Sequence, residues 1–204
     1  MSIPTVRFIG AIAIGLSCLL AGCAGKVEKV SPSQWVTQPA PGKALVYFLR
    51  PTTHANLGLA MQRVPVEAPL YDNDVYVASI PTGTHIALQA DPGKHLFMVL
   101  GEKPDFLKAD LLAGKTYHVK IESWFNESRF ELLADNGQMA RSDLNIWINT
   151  TTQIIPNDKA RAWAAGNTEK THKLKAKHLP DWEKRMARDV REAEKHTLRP
   201  ESGK

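Results

Sequence analysis

Ala44-Leu45-Val46-Tyr47-Phe48-Leu49 is apolar at every position, whereas Thr116-Tyr117-His118-Val119-Lys120-Ile121-Glu122-Ser123 alternates strictly. These two stretches decide the fold class. Successive side chains of a strand point to opposite faces of its sheet. The first stretch therefore reads as a central strand buried on both faces. The second reads as a strand with Tyr117, Val119 and Ile121 inward and His118, Lys120 and Glu122 outward. Between and around them the same grammar repeats. Val66 to Tyr71 and Val75 to Ile80 flank Asp72-Asn73-Asp74, whose residue types tolerate the left-handed backbone of a hairpin turn. Pro81-Thr82-Gly83, Asp91-Pro92-Gly93-Lys94, Gly101 to Pro104, Ala113-Gly114-Lys115 and Asn126-Glu127-Ser128 separate further short runs, ending with Arg129 to Leu133. Turns roughly every 8–12 residues between short strands predict a mainly β sandwich or barrel.

Working outward to the N-terminus, Ala24 to Gly42 is rich in Ser, Pro, Gln and Lys, shows no periodicity, and reads as a tether, with Trp35-Val36 as the pair able to tuck against the domain. Residues 1–22 have the parts of an export signal. Arg7 is the one charge of the opening segment, and Phe8 to Leu20 is an apolar run of about 13 residues, too short for the ~20 of a spanning helix. Leu20-Ala21-Gly22-Cys23 closes it. This resembles the lipobox of bacterial lipoproteins, in which the cysteine thiol takes a diacylglycerol group and becomes the first residue of the mature chain. The resemblance implies lipidation at Cys23. It also implies a sorting rule: Ala24, where an Asp would favour the inner membrane, points to the outer membrane, facing the periplasm.

With Cys18 lost in the leader and Cys23 alkylated, no disulfide pair remains, so the fold must rest on its apolar core. Charge is uneven. Residues 43–156 carry ten Lys/Arg and twelve Asp/Glu, a net −2, while residues 157–204 carry thirteen and eight, a net +5. Behind an export signal, that basic region points to peptidoglycan, anionic lipid or an envelope protein as partner, and not to nucleic acid.

Val46-Tyr47-Phe48-Leu49-Arg50-Pro51, then Tyr71-Asp72-Asn73, Pro92-Gly93-Lys94-His95 and Gly114-Lys115-Thr116-Tyr117-His118-Val119-Lys120 follow in order. That series resembles a family of uncharacterised bacterial lipoproteins carrying a domain of unknown function, PEGA-like in style. The resemblance spans about residues 44–134. It implies an antiparallel, immunoglobulin-like β-sandwich and an envelope location, with no reaction and no catalytic residues attached.

Beyond Asp135-Asn136-Gly137 the grammar becomes helical. Ser142-Asp143 opens a helix over Leu144 to Thr150, and Ile154-Ile155-Pro156 breaks it. Asn157 is suited to cap a new helix, with Asp158 complementing its dipole. That helix is expected to run to Lys177, weak at Gly166-Asn167 and interrupted at Leu179-Pro180. A further helix from Pro180 fades near Leu198, with Leu179, Trp182, Met186 and Val190 as one apolar stripe. The expected organisation is a signal peptide over 1–22, a tether over 23–42, a β-sandwich over 43–136 and a C-terminal helical arm over 137–204. Docking of the arm's stripe on the β domain is the first expectation. Membrane binding ranks second, because its cations mix with Asp181, Glu183, Asp189, Glu192 and Glu194. Binding of a partner protein ranks third.

No constellation of catalytic residues emerges. There is no Gly-x-Ser-x-Gly elbow, no phosphate-cradling glycine loop and no His-Glu-x-x-His. Asp72 and Asp74 read as turn residues, not as a cation site, which needs six or more oxygens. His85, His95 and His118 lie on three different strands and would hold a metal only if they converged. Trp163 and Trp182 read as the packed face of a helix. The chain thus reads as a non-enzymatic lipoprotein without cofactor or metal. The alternative is a hydrolase of a wall polymer or lipid, using carboxylates that the sequence does not pair.

Overall fold

A computed structural model describes residues 25–52, 67–124, 127–132 and 141–204. The leader with Cys23, the loop expected around Leu57 to Met61 and the Asp135-Asn136-Gly137 turn lie outside the described residues.

Two mixed sheets share one apolar core. The six-stranded sheet runs β1 (Val27–Lys29), β10 (Thr152–Pro156), β5 (Thr84–Ala90), β2 (Ala44–Arg50), β8 (Thr116–Trp124) and β9 (Glu127–Leu132). The five-stranded sheet runs β11 (Thr197–Leu198), β7 (Asp105–Leu111), β6 (Gly93–Val99), β3 (Glu67–Asp72) and β4 (Val75–Pro81). The hairpin over Asn73-Asp74 forms as the residue types require, with φ of 44° and 74° at the two positions. Inward side chains of both sheets build the common core, among them Val46, Phe48, Tyr117, Val119 and Ile121 from one and Leu70, Ile80, Phe97 and Leu107 from the other. The Phe48 and Phe97 rings meet edge-on at 4.9 Å between centroids.

The all-antiparallel arrangement that the resemblance implied is not found. β2 pairs with β8, β5 with β10 and β7 with β11 in parallel. Parallel strands need cover on both faces, and here each sheet has it. Helix α1 (Arg141–Thr150) lays Leu144, with Trp147 and Ile148, on Leu45, Tyr47 and Leu49 of the six-stranded sheet. Helices α2 (Asp158–Arg188) and α3 (Val190–Lys195) cover the outer face of the five-stranded sheet, where Trp182 and Met186 pack with Tyr71, Met98 and Phe106. Strand β2 is buried at every position, as its sequence predicts.

The expected boundary after residue 136 is not where the sheets end. The C-terminal region returns β10 to the first sheet and β11 to the second, so Ile154-Ile155-Pro156 is strand, not merely a break. Nor is the segment from Gly25 to Gly42 a free tether. Val27–Lys29 pairs with β10, Trp35 Nε1 donates to the Val30 carbonyl at 3.1 Å, and Val36 packs against the outer cluster of β2. The contact of Trp35-Val36 with the domain is as expected; what composition missed is β1, which is held through backbone bonds and not through apolar periodicity.

Asn157 caps α2, accepting from the Ala160 N–H at 3.1 Å. The helix then runs unbroken through Pro180 to Arg188, against the expected interruption. A proline in a helix interior costs about 3 kcal/mol. Burying Trp182 and Met186, each worth about 1.5–3 kcal/mol, outweighs it. Gly166-Asn167 is no break either, for Asn167 Nδ2 donates to the Trp163 carbonyl at 2.8 Å. The break falls at Asp189, whose carboxylate accepts from the N–H groups of Arg191 and Glu192 and opens α3. That turn rotates Val190 off the stripe, leaving it 72% exposed. The arm nevertheless docks through Leu179, Trp182 and Met186.

Candidate functional site

The three strand histidines do not converge. His85 and His118 lie on the outer face of the six-stranded sheet, and His95 lies on the other sheet. Among the described residues no group of three or more His, Cys, Asp or Glu side chains could hold a metal ion. Asp72 and Asp74 face protein partners. Both oxygens of Asp72 lie 2.8 and 2.9 Å from His95 Nδ1, and Asp74 pairs with Lys175 of α2 at 2.7 Å. The turn acids therefore pin β6 and α2 to the hairpin.

His85 belongs to a run of rings on the outer face of β5, β2 and β8. Trp35 meets it edge-on at 5.3 Å, Tyr47 at 5.7 Å, and Tyr47 in turn stacks on His118 at 5.2 Å. The Thr151 hydroxyl donates to the Trp147 carbonyl at 2.6 Å, which spends its only proton. It must then accept from His85 Nδ1–H at 2.8 Å, fixing the neutral tautomer. His85 Nε2 is buried without a hydrogen-bond partner. Burial, opposed by Gln153, pulls the His85 pKa down to about 4. Burial, with the Lys204 charge adding to it, does the same to His118, also to about 4. Both rings are neutral at pH 7.

A wide groove of about 1340 Å³ lies between β9, the N-terminal end of β7 and α3. His196 and Asp105 meet in its wall at 3.4 Å. The other Asp105 oxygen accepts from the Phe130 N–H at 2.9 Å, closing one outward backbone donor of the edge strand β9. His196 Nδ1 lies 2.9 Å from the Glu192 carbonyl. Burial lowers the His196 pKa, but the Asp105 carboxylate and the Glu192 carbonyl outweigh it and hold it above the usual imidazole value. With both ring nitrogens engaged, His196 has no free lone pair for general-base work; it clamps α3 to the two sheets. The rest of the groove carries mixed charge, with Arg129, Arg185 and Arg191 among Glu127, Glu131 and Glu194. A smaller cavity of about 240 Å³ separates α2 from the β3–β4 hairpin, beside Tyr71 and Thr171, whose hydroxyls lie 3.3 Å apart.

Trp163 and Trp182 are both part of the docked surface of α2. Trp163 lies 6.2 Å from the Tyr76 ring, with Lys26 Nζ 4.4 Å above it. Trp182 contacts Phe106 and His196 at 5.6 and 5.9 Å. The lipidation candidate, Cys23, precedes the first described residue by two positions. Gly25 is already fixed, its carbonyl accepting from Asn157 Nδ2 at 2.7 Å. Among the described residues no helix is long and apolar enough to cross a membrane. The His196–Asp105–Phe130 clamp had no signal in the sequence, because its members are far apart in the chain. Comparison with protein-family models, with curated proteins and with solved structures finds no match to this chain.

Proposed function

We propose that this chain is a bacterial envelope lipoprotein, lipidated at Cys23 and held at the periplasmic face of the outer membrane, with a binding or structural role and no catalytic one. The observation that carries the reading is Leu20-Ala21-Gly22-Cys23 closing an apolar leader of the length an export signal has. The immunoglobulin-like, PEGA-like character of the β region belongs to the same proposal. The two sheets with a shared core support it, and the parallel pairs depart from it. The non-catalytic role is supported by the histidine chemistry. His85 and His118 are held neutral on a covered face, and His95 and His196 have both ring nitrogens engaged.

The test is metabolic labelling with a fatty-acid analogue followed by membrane fractionation. Wild type is expected to take the label and sediment with the outer membrane, and Cys23→Ala to do neither. Equal labelling of the two would overturn the reading. Hydrolysis of peptidoglycan or phospholipid by the purified protein would overturn the non-catalytic half and leave the anchor standing.

A further inference from the structure

Once the apolar stripe of α2 is docked, what remains outward is unusual in composition. At 3.6 residues per turn, a strip about 60° wide along the solvent side of α2 contains Lys159, Gly166, Lys170, Lys173, Lys177, Lys184 and Arg188 and no other position. All six of its side chains are cations, all exposed, spread from the first turn to the last. Among the described residues only Lys173 of the six has an acid in pairing distance, Glu169 at 2.6 Å. The acids that mix with these cations in the sequence fall to the flanks, with Asp158, Glu169 and Glu183 on one side and Asp181 on the other.

The place where the chain enters the fold sets where this strip must sit. Cys23 is two residues from Gly25, at most about 7 Å of chain. Gly25 is bonded to Asn157, the N-cap of α2, and the Asn157 N–H donates back to the Lys26 carbonyl at 3.2 Å. An anchor at Cys23 therefore leaves the protein beside the start of α2. From there the helix extends about 46 Å. Standing upright, it would carry all but its first turns beyond the ~8–10 Å over which a charge is felt in physiological salt. Lying flat, all six cations reach the headgroups.

We propose that the outward strip of α2 is the membrane-contact face of the anchored protein, lying along anionic phospholipid headgroups. The proposal rests on lipidation at Cys23. The occupant follows from the length of chain before Gly25, which fixes the body against the bilayer, and from the single sign of charge along the strip.

The experiment uses the lipidated full-length protein in vesicles of phosphatidylethanolamine and phosphatidylglycerol containing a headgroup-attached quencher. An alkylated Cys23 leaves no other thiol in the mature chain, so one introduced cysteine takes the fluorophore. Gly166→Cys lies within the strip, where a Cβ meets nothing within 4 Å. Arg188→Cys lies at its far end, and Asn145→Cys on α1 at the opposite side of the molecule. Loss of most emission at 166 and 188, with none at 145, is expected. Adding Lys170→Glu, Lys173→Glu and Lys177→Glu should restore emission at 188 while the protein still floats with the vesicles. Emission at 188 as bright as at 145 would overturn the flat pose, and quenching indifferent to the charge reversals would overturn the role of the strip. Failure of the unmutated protein to float would instead overturn the anchor itself, and the membrane-contact face with it.

Discussion

The outer face of the six-stranded sheet carries a run of neutral rings, and the outer face of the five-stranded sheet is covered by the basic helix α2 and by α3, whose end is clamped through a histidine paired with a carboxylate. On the first face Trp35, His85, Tyr47 and His118 lie one after another under α1 and the N-terminal strap, both histidines neutral. On the second, Trp182 and Met186 supply the burial, while Lys175–Asp74 and, at the end of the sheet, His196–Asp105 hold the helices in place. The two faces thus respond to pH in opposite senses. Acid must charge a buried ring on one; alkali must discharge a paired ring on the other.

The largest effect is expected from removing both covers at once. A fragment spanning residues 43–136 keeps the shared core except Leu198. It exposes Leu45, Tyr47 and Leu49 on one sheet and Tyr71, Met98 and Phe106 on the other, and it lacks β1, β10 and β11. It should show no cooperative melt by circular dichroism. A sharp transition would mean that neither cover contributes to the folded unit.

Next comes the asymmetry between the covers. Trp182→Ala removes a side chain that is 4% exposed and should cost about 3–5 kcal/mol in urea unfolding. Trp182→Phe should cost much less, because it also deletes an indole N–H that has no hydrogen-bond partner. Trp147→Ala, on the half-buried cover of the other sheet, loses part of a burial and a Lys120 contact of 5.0 Å, and should cost about 1–2 kcal/mol. Equal costs for the two alanine variants would erase the distinction.

Much of this arrangement was written locally. The left-handed pair Asn73-Asp74, the alternation of β8, the doubly apolar β2 and the Asn157 cap are each set by a few neighbouring residues. What escaped was set at long range. Which strand β10 or β1 pairs with is a matter of backbone partners far apart in sequence. Pro180 read as a stop because its local cost is visible and the burial that overrides it is not. That one misreading also hid the cationic strip, since Lys159 to Arg188 fall in line only if the helix is continuous. The site chemistry was less legible still. His196 and Asp105 have unremarkable neighbours in sequence, and only the fold brings them within 3.4 Å.

The acid side of the comparison can be measured directly. His85 has its pKa lowered to about 4, against an ordinary 6.5. For a histidine depressed in the folded state, the stability it contributes is complete above 6.5 and is lost as pH falls from there through about 4. The full loss is roughly 3 kcal/mol at 1.36 kcal/mol per pKa unit. Because carboxylates titrate at the lower end of that window, the useful quantity is the difference between wild type and His85→Gln. The difference should narrow as pH falls from 7 to 4. A constant gap would place the acid sensitivity elsewhere.

The smallest effect is expected on the alkaline side, and it carries the opposite sign. His196 is raised above 6.5 because Asp105 and the Glu192 carbonyl favour its charged form by more than burial and Arg185 disfavour it. A raised group contributes stability that is complete below 6.5 and is lost as pH rises through its folded value. Deprotonation leaves Asp105 holding the Phe130 N–H but facing a neutral ring, so the clamp loosens without breaking. The loss should be modest and confined to α3 and β11, where the Lys108 N–H donates to the His196 carbonyl at 3.0 Å. Two-dimensional NMR of the imidazole resonances between pH 5.5 and 9 separates the two faces in one titration. The His196 signal should move with a midpoint above 6.5, and amide exchange in residues 190–199 should quicken over the same range. His85 and His118 should stay still throughout. His196→Gln should abolish the alkaline change in exchange and leave the acid transition untouched. A His196 midpoint below 6.5, or an exchange rate that ignores it, would reduce the clamp to a contact of no electrostatic consequence.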